Sequence, residues 1–495
     1  MVNSSIFFCT FATRLITFSE KRMKKTTILL WLVLLLTVTT HAEKREIHIL
    51  AVNDMHAQME VFPQLAALAD SLRTVDPSLL IFSAGDNRTG NPINDKYTLP
   101  AYPMVALMNQ IGFNASTLGN HEFDVHSLER LVGVSHFRYI CANVFPSDSL
   151  GIRILPYQVF DVEGLRVGVI GCIQLSPQGI PSTHPDNLTG YRFKPAEEII
   201  PQYEWLSKDC DVTILLSHLG YPDDIKMAEK FPWLDLIIGG HTHTQLKGDE
   251  VKNGVLITQN KNKLNRVTYI TLTVEDGKVT DKKAEYIDVR KYPHSIMLVE
   301  EMVRFYNDNP TLQQVLAIAD TPFENKEELG CMMCDAFLEE TQSKIAIENP
   351  GGVRIESHPQ GDITVRDVLE MDPFDNHAVL MTLTGDEILH MMLTYCHKSL
   401  HSFPYVGGMK CDITIEKDFP EKIKSVTLLT LDGKKLNMKK KYRVVTNSYI
   451  PATSEIPKGA ANTLNVETSD IIIKYLEKKK TVSYQGVSRL NIIKP

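Results

Sequence analysis

At 495 residues and 43% hydrophobic content, the chain exceeds what one compact core takes, and two globular domains are expected. Its formal net charge is −8, and residues 1–42 hold five Lys/Arg against one acid, so a chain lacking them would sit near −12. A surface that acidic excludes nucleic acid as a natural partner.

Residues 1–22 have no role legible in the sequence, and Met23 is an alternative start. From Met23, "MKKTTILLWLVLLLTVTTHA" sets two lysines before an apolar run and ends on Thr40 and Ala42, the small residues of an A-x-A-like cleavage site. This predicts a signal peptide over 23–42, a mature chain from Glu43, and a periplasmic or secreted protein. The apolar run is shorter than the roughly 20 residues of a spanning helix, so no stable membrane anchor is expected. Export permits disulfides, but the seven cysteines after Cys9 cannot all pair with one another. Cys331 and Cys334, three apart on an apparent helix, read as small buried hydrophobes, since no second CxxC accompanies them as a metal or redox pair requires.

Residues 43–290 alternate β-branched runs with helical segments, the pattern of an α/β layered domain. Over 291–315, "IMLVEEMVRFYNDNP" spaces its apolar residues helically before Pro310 and predicts a connecting helix. Residues 316–495 combine a helix near 330–342 with strand-like runs "HAVLMTLT", "KSVTLLTL" and "KYRVVTNS", an α+β domain.

Five hydrophobic runs of the first domain end on chemistry. "ILAVNDMH" supplies Asp54 and His56, "LLIFSAGDN" Asp86, "ASTLGNHEFD" Asn120 and His121, "VTILLSHLG" His218, and "LDLIIGGHTH" His241 and His243. Ligands of open α/β sheets bind beyond the carboxyl ends of the strands, so these tips are expected to converge. Any one of them alone is an ordinary turn or a satisfied histidine. Together they offer only Asp, Asn and His donors, which suits a hard-to-borderline metal and not a thiolate site. Seven donors exceed one tetrahedral ion, and two cations sharing a carboxylate are expected.

In this order, "NDMH", "GDN", "GNHEFD", "SHLG" and "GGHTH" resemble the calcineurin-like metallophosphoesterases, and specifically the exported 5'-nucleotidase family, over nearly the whole mature chain. The resemblance implies a four-layer α/β sandwich, a linker helix and a C-terminal α+β substrate domain. It also implies Asp54, His56, Asp86 and His243 around one divalent ion and Asp86, Asn120, His218 and His241 around the other, with Zn, Mn and Fe all compatible. Such a pair acidifies a shared water and neutralises phosphoryl charge, the chemistry of phosphate ester hydrolysis. His121 and Asp124 are implied as the catalytic dyad. "ENPGGVRIES" resembles the family's Asn-x-Gly-Gly-x-Arg loop, implying Asn349 on a base or ribose and Arg354 on a phosphate, and Phe374 in "MDPFDN" matches a base-stacking aromatic.

The chain departs from the family where a Gly-Gly-Asp-Gly-aromatic stretch usually follows a strand like "YRVVTNSYI": it has "PATSEIPKG", and Tyr449 is the substitute ring at hand. "ENKEELG" also lacks an arginine often found there. The expected function is hydrolysis of nucleotides or related small phosphate esters. The alternatives are the same chemistry on cyclic nucleotides, nucleotide sugars or simple phosphomonoesters, and a non-catalytic exported nucleotide-binding protein. The sequence carries no signal for oligomeric state.

Overall fold

The computed structural model describes residues 44–457 and 459–494, and the expected signal peptide lies outside them. The apolar runs of the first domain form two six-stranded sheets. In one, Arg45–Val52, Leu80–Ser83, Ala115–Thr117 and Arg138–Ile140 are successive parallel neighbours. In the other, Leu165–Ile173, Val212–His218, Leu236–Gly239 and Val255–Thr258 are likewise parallel. The runs are buried on both faces, which is why they read as continuous hydrophobic stretches with no alternation. An antiparallel hairpin, Val267–Glu275 with Lys278–Ile287, extends the first sheet beside Arg45–Val52.

The sheets face each other through Ile49, Phe82 and Ala115 of one and Val169, Ile214 and Leu216 of the other. Helices Phe62–Val75 and Tyr102–Ile111 cover the outer face of the first sheet. Tyr221–Lys230 and the segment around Ile199 cover that of the second. The result is the four-layer α/β/β/α arrangement, with the parallel strands of both sheets delivering their carboxyl ends to one rim.

Helix Met297–Asn307 follows and buries Val299 and Val303. Beyond it, Ile345–Glu348 and Lys441–Asn447 lie side by side in parallel within a five-stranded sheet whose remaining pairs are antiparallel. The expected runs become His377–Thr384, Ile423–Leu429 and Lys441–Asn447. Helix Lys326–Thr341, capped by Asn325 through the Glu327 and Glu328 N–H groups, carries Cys331 and Cys334. Both are fully buried free thiols, and none of the seven described cysteines is bridged. The domains meet at the rim. Arg366 pairs with Glu60 at 2.6 Å, and Lys96 bridges Asp375 and Glu467. No helix among the described residues is long and apolar enough to cross a membrane.

Candidate active site

The five strand tips meet at that rim. His218 is the last residue of its strand, and Asp54, Asp86, Asn120 and His241 follow theirs by two or three residues. The backbone turns sharply to aim them: Asp54, His56, Asp86, His241 and His243 all have positive φ, between 46° and 74°. Left-handed backbone at non-glycine residues is costly, and its clustering marks a site that the surrounding fold holds in place. Glycine makes the approach possible, since a Cβ on Gly119 would lie 2.1 Å from Asp86 Oδ1.

Three sets of ligand atoms lie within 4.8 Å of one another: Asp54, His56 and His243; Asp86, His218 and His241; and His56, Asp86 and His121. Asn120 joins the second set, its Oδ1 3.1 Å from His241 Nδ1, while its Nδ2 donates to the Ser182 carbonyl at 3.2 Å. The ring orientations are set from behind. His218 Nδ1 donates to the Ala84 carbonyl at 2.7 Å and His56 Nδ1 to the Thr89 carbonyl at 3.1 Å, which leaves each Nε2 free to coordinate.

The donor set fits divalent cations. It contains no sulfur, and its protonation states are those of ligands. Burial, Arg354 and His121 hold His56 well below the ordinary histidine value, and burial with His218 brings His241 down to about 4. Burial opposes ionisation of Asp86, but His218 and His121 outweigh it and hold the carboxyl well below its ordinary range. His218 is the exception. Against burial, Asp86 and Asp54 push it up to about 10. Its Nε2, 3.1 Å from Asp86 Oδ2, is buried without a hydrogen-bond partner of its own.

His121 stands at the edge of this cluster. Its backbone N–H donates to Asp86 Oδ1 at 2.9 Å, its Nδ1 donates to Asp124 Oδ2 at 2.6 Å, and its Nε2 is 3.8 Å from Asp86 Oδ2. Asp124 also accepts the hydroxyls of Thr89 (2.7 Å) and Thr183 (2.9 Å), so donors surround both of its oxygens. Burial disfavours charge on His121, but Asp124 and Asp86 prevail and raise its pKa above the ordinary histidine value.

The C-terminal domain closes a cavity of about 230 Å³ over these groups, lined by Asn349, Arg354 and Phe374 together with the dyad and His241. The Arg354 guanidinium comes within 3.4 Å of the His56 ring, and its carbon lies 5.7 Å from the centre of the Phe374 ring. Phe374 stacks on His121 at 5.8 Å with 24° between planes.

A calcineurin-like phosphoesterase model matches residues 47–245, and a 5'-nucleotidase C-terminal domain model matches residues 312–455. The chain belongs to the 5'-nucleotidase family. As such it is a metal-dependent hydrolase of phosphate esters. It is 27% identical over 500 residues to a 5'-nucleotidase of Vibrio cholerae, covering 86% of this chain and 87% of that protein. Protein UshA of Yersinia enterocolitica is 26% identical over 473 residues, 81% of this chain and 83% of that one. The crystal structure of a 5'-nucleotidase precursor from Thermus thermophilus superposes with a TM-score of 0.81 at 25% identity, covering 91% of this chain and 99% of that one.

Three residues of this 5'-nucleotidase-family site escape a reading of the sequence. Glu122, inside "GNHEFD", is buried and accepts the N–H groups of Asp86 (2.9 Å), Asn87 (2.8 Å) and Gly119 (2.6 Å), locking two ligand loops together. Thr183 reaches the dyad from a loop with no motif of its own. Tyr395, at the end of helix Gly385–Tyr395, lines the cavity and meets the expected Tyr449 edge-on, their ring centres 6.2 Å apart at 82°. Among the described residues the cavity thus holds Phe374 and a tyrosine pair packed against itself.

Proposed function

We propose that this chain is an exported phosphohydrolase that cleaves phosphate monoesters of nucleotides or related compounds at a two-cation centre. The chemistry belongs to residues 43–290, and substrate selection to residues 316–495, reached through 291–315. The observation that carries the reading is the group Asp54, His56 and His243 and the group Asp86, His218 and His241, with Asp86 also within reach of His56, beside the His121–Asp124 dyad. Asp54, His56, Asp86 and His243 are assigned to one ion and Asp86, Asn120, His218 and His241 to the other. Bound there, the cations supply a nucleophile from water and neutralise phosphoryl charge. His121, with Asp124 fixing its Nδ1–H, presents Nε2 to the phosphoryl or leaving oxygen. Arg354 holds phosphate oxygens through its planar fork, Phe374 offers a stacking face, and Asn349 contacts the base or ribose. The basic-then-apolar leader supports export.

Phosphate release by the purified protein across nucleotides and a generic phosphomonoester tests this, together with elemental analysis. Turnover should accompany about two divalent ions per chain and vanish on exhaustive chelation. Activity that survives chelation in metal-free protein would overturn the reading.

Because, among the described residues lining the cavity, Tyr395 and Tyr449 pack against each other and leave Phe374 as the stacking ring, recognition is expected to rest on Arg354 and the cations. Nucleoside monophosphates should therefore be cleaved with no more than a several-fold preference among bases, alongside esters that carry no base. Phe374→Ala should raise KM for nucleotides by about one power of ten, as the loss of one base stack predicts, with less effect on base-free esters. Arg354→Ala should impair both classes. Steady-state kinetics on the two classes checks the contrast.

A further inference from the structure

A sixth strand, Val255–Thr258, runs parallel to Leu236–Gly239 and ends at the same rim, but its tip carries no assigned ligand. That tip is Gln259, which is buried. Its Oε1 accepts the Thr242 hydroxyl at 2.9 Å and the Thr244 N–H at 2.6 Å, and its Nε2 donates to the Gly240 carbonyl at 2.8 Å. A backbone N–H can only donate and a carbonyl can only accept, so the amide fits in one orientation. The three contacts span Gly240 to Thr244 and enclose His241 and His243, whose φ values are 74° and 52°. Two non-glycine residues in the left-handed region keep that shape only where the surroundings hold it. Gln259 itself stands on a fixed base. The N–H of Asn260 donates to Asn53 Oδ1 at 2.9 Å, the Asn260 carbonyl accepts Asn53 Nδ2 at 2.8 Å, and Asn260 Nδ2 donates to Thr268 Oγ1 at 2.8 Å.

We propose that Gln259 is a positioning residue of the cation centre. By holding Gly240, Thr242 and Thr244 from behind, it aims His241 and His243 together, one histidine assigned to each cation. Its amide touches no reacting atom, and its effect is on how tightly the ions are held. Partners behind metal ligands typically change affinity by about 10- to 100-fold, and here a single side chain serves both sites. The proposal rests on the two-cation reading of this centre.

The test titrates the purified, chelator-stripped protein with Mn²⁺, and in a second series with Zn²⁺, by calorimetry. Wild type, Gln259→Met and Gln259→Asn are compared, and the unfolding temperature of each is recorded with and without the ion. Gln259→Met keeps the side-chain volume and removes all three hydrogen bonds. It is expected to weaken binding of both ions by about 10- to 100-fold and to shrink the rise in unfolding temperature that the ion produces. Gln259→Asn keeps a buried amide but withdraws it by one methylene, a gentler change for folding, and should weaken binding by about tenfold. A purely structural role would lower the unfolding temperatures of the metal-free and metal-loaded protein in parallel and leave the dissociation constants at their wild-type values, which overturns the proposal. So does either folded variant that binds both ions as tightly as the wild type. Wild-type protein that takes up neither ion would overturn the two-cation reading, and this proposal with it.

Discussion

Asp86→Ala is expected to be the most damaging single change, lowering phosphate release by more than about 10⁴-fold and removing metal from the protein. Asp86 is grouped with His56 on one side and with His218 and His241 on the other, and as the ligand assigned to both proposed cations its loss strips each of a donor. It also accepts the His121 backbone N–H at 2.9 Å, and its removal loosens the residue proposed to act on the leaving group. The adjacent Glu122 cannot move in, because three backbone N–H groups hold it. Metal analysis and turnover should fall together. A variant that keeps two ions and turns over within tenfold of the wild type would remove Asp86 from the shared position.

The convergence of Asp54, His56, Asp86, Asn120, His218, His241 and His243 was legible because each tip is a short polar stretch at the end of an apolar run, and parallel strands carry such tips to a common rim. The sequence cannot give the backbone turns that aim them. Positive φ is foreseeable at glycine but not at His56 or His243. Glu122 was hidden for a related reason. Between His121 and Phe123 it reads as an ordinary turn acid, and only the fold brings three N–H groups onto its carboxylate. The C-terminal half was less legible still, since its site residues lie far apart in the chain. Lys96 meets Asp375 across 279 positions, and Asn349 meets Asn447 across 98. Pairings of that length leave no periodic or local trace. The same limit applies to the sheets: nothing in "VTYITLTVE" announces that it lies antiparallel to Arg45–Val52 and not against its sequence neighbour Val255–Thr258.

His121→Ala separates chemistry from metal binding. If His121 acts on the phosphoryl or leaving oxygen, kcat should fall by roughly 10²- to 10⁴-fold while metal content and KM stay near the wild type. The geometry favours that outcome over ligation. Asn120 and His241 already face each other on the Asp86 side, while the His121 ring is held by Asp124 at 2.6 Å and covered by Phe374. Asp124→Asn should show a milder loss of about tenfold, since an amide oxygen still accepts the Nδ1–H and the change removes charge more than orientation. The Thr89 and Thr183 hydroxyls, which can turn to accept, keep the new amide in place. Loss of a metal ion in His121→Ala would make His121 a ligand. An Asp124→Asn variant as crippled as His121→Ala would mean that the carboxylate's charge, and not its hold on the ring, carries the dyad.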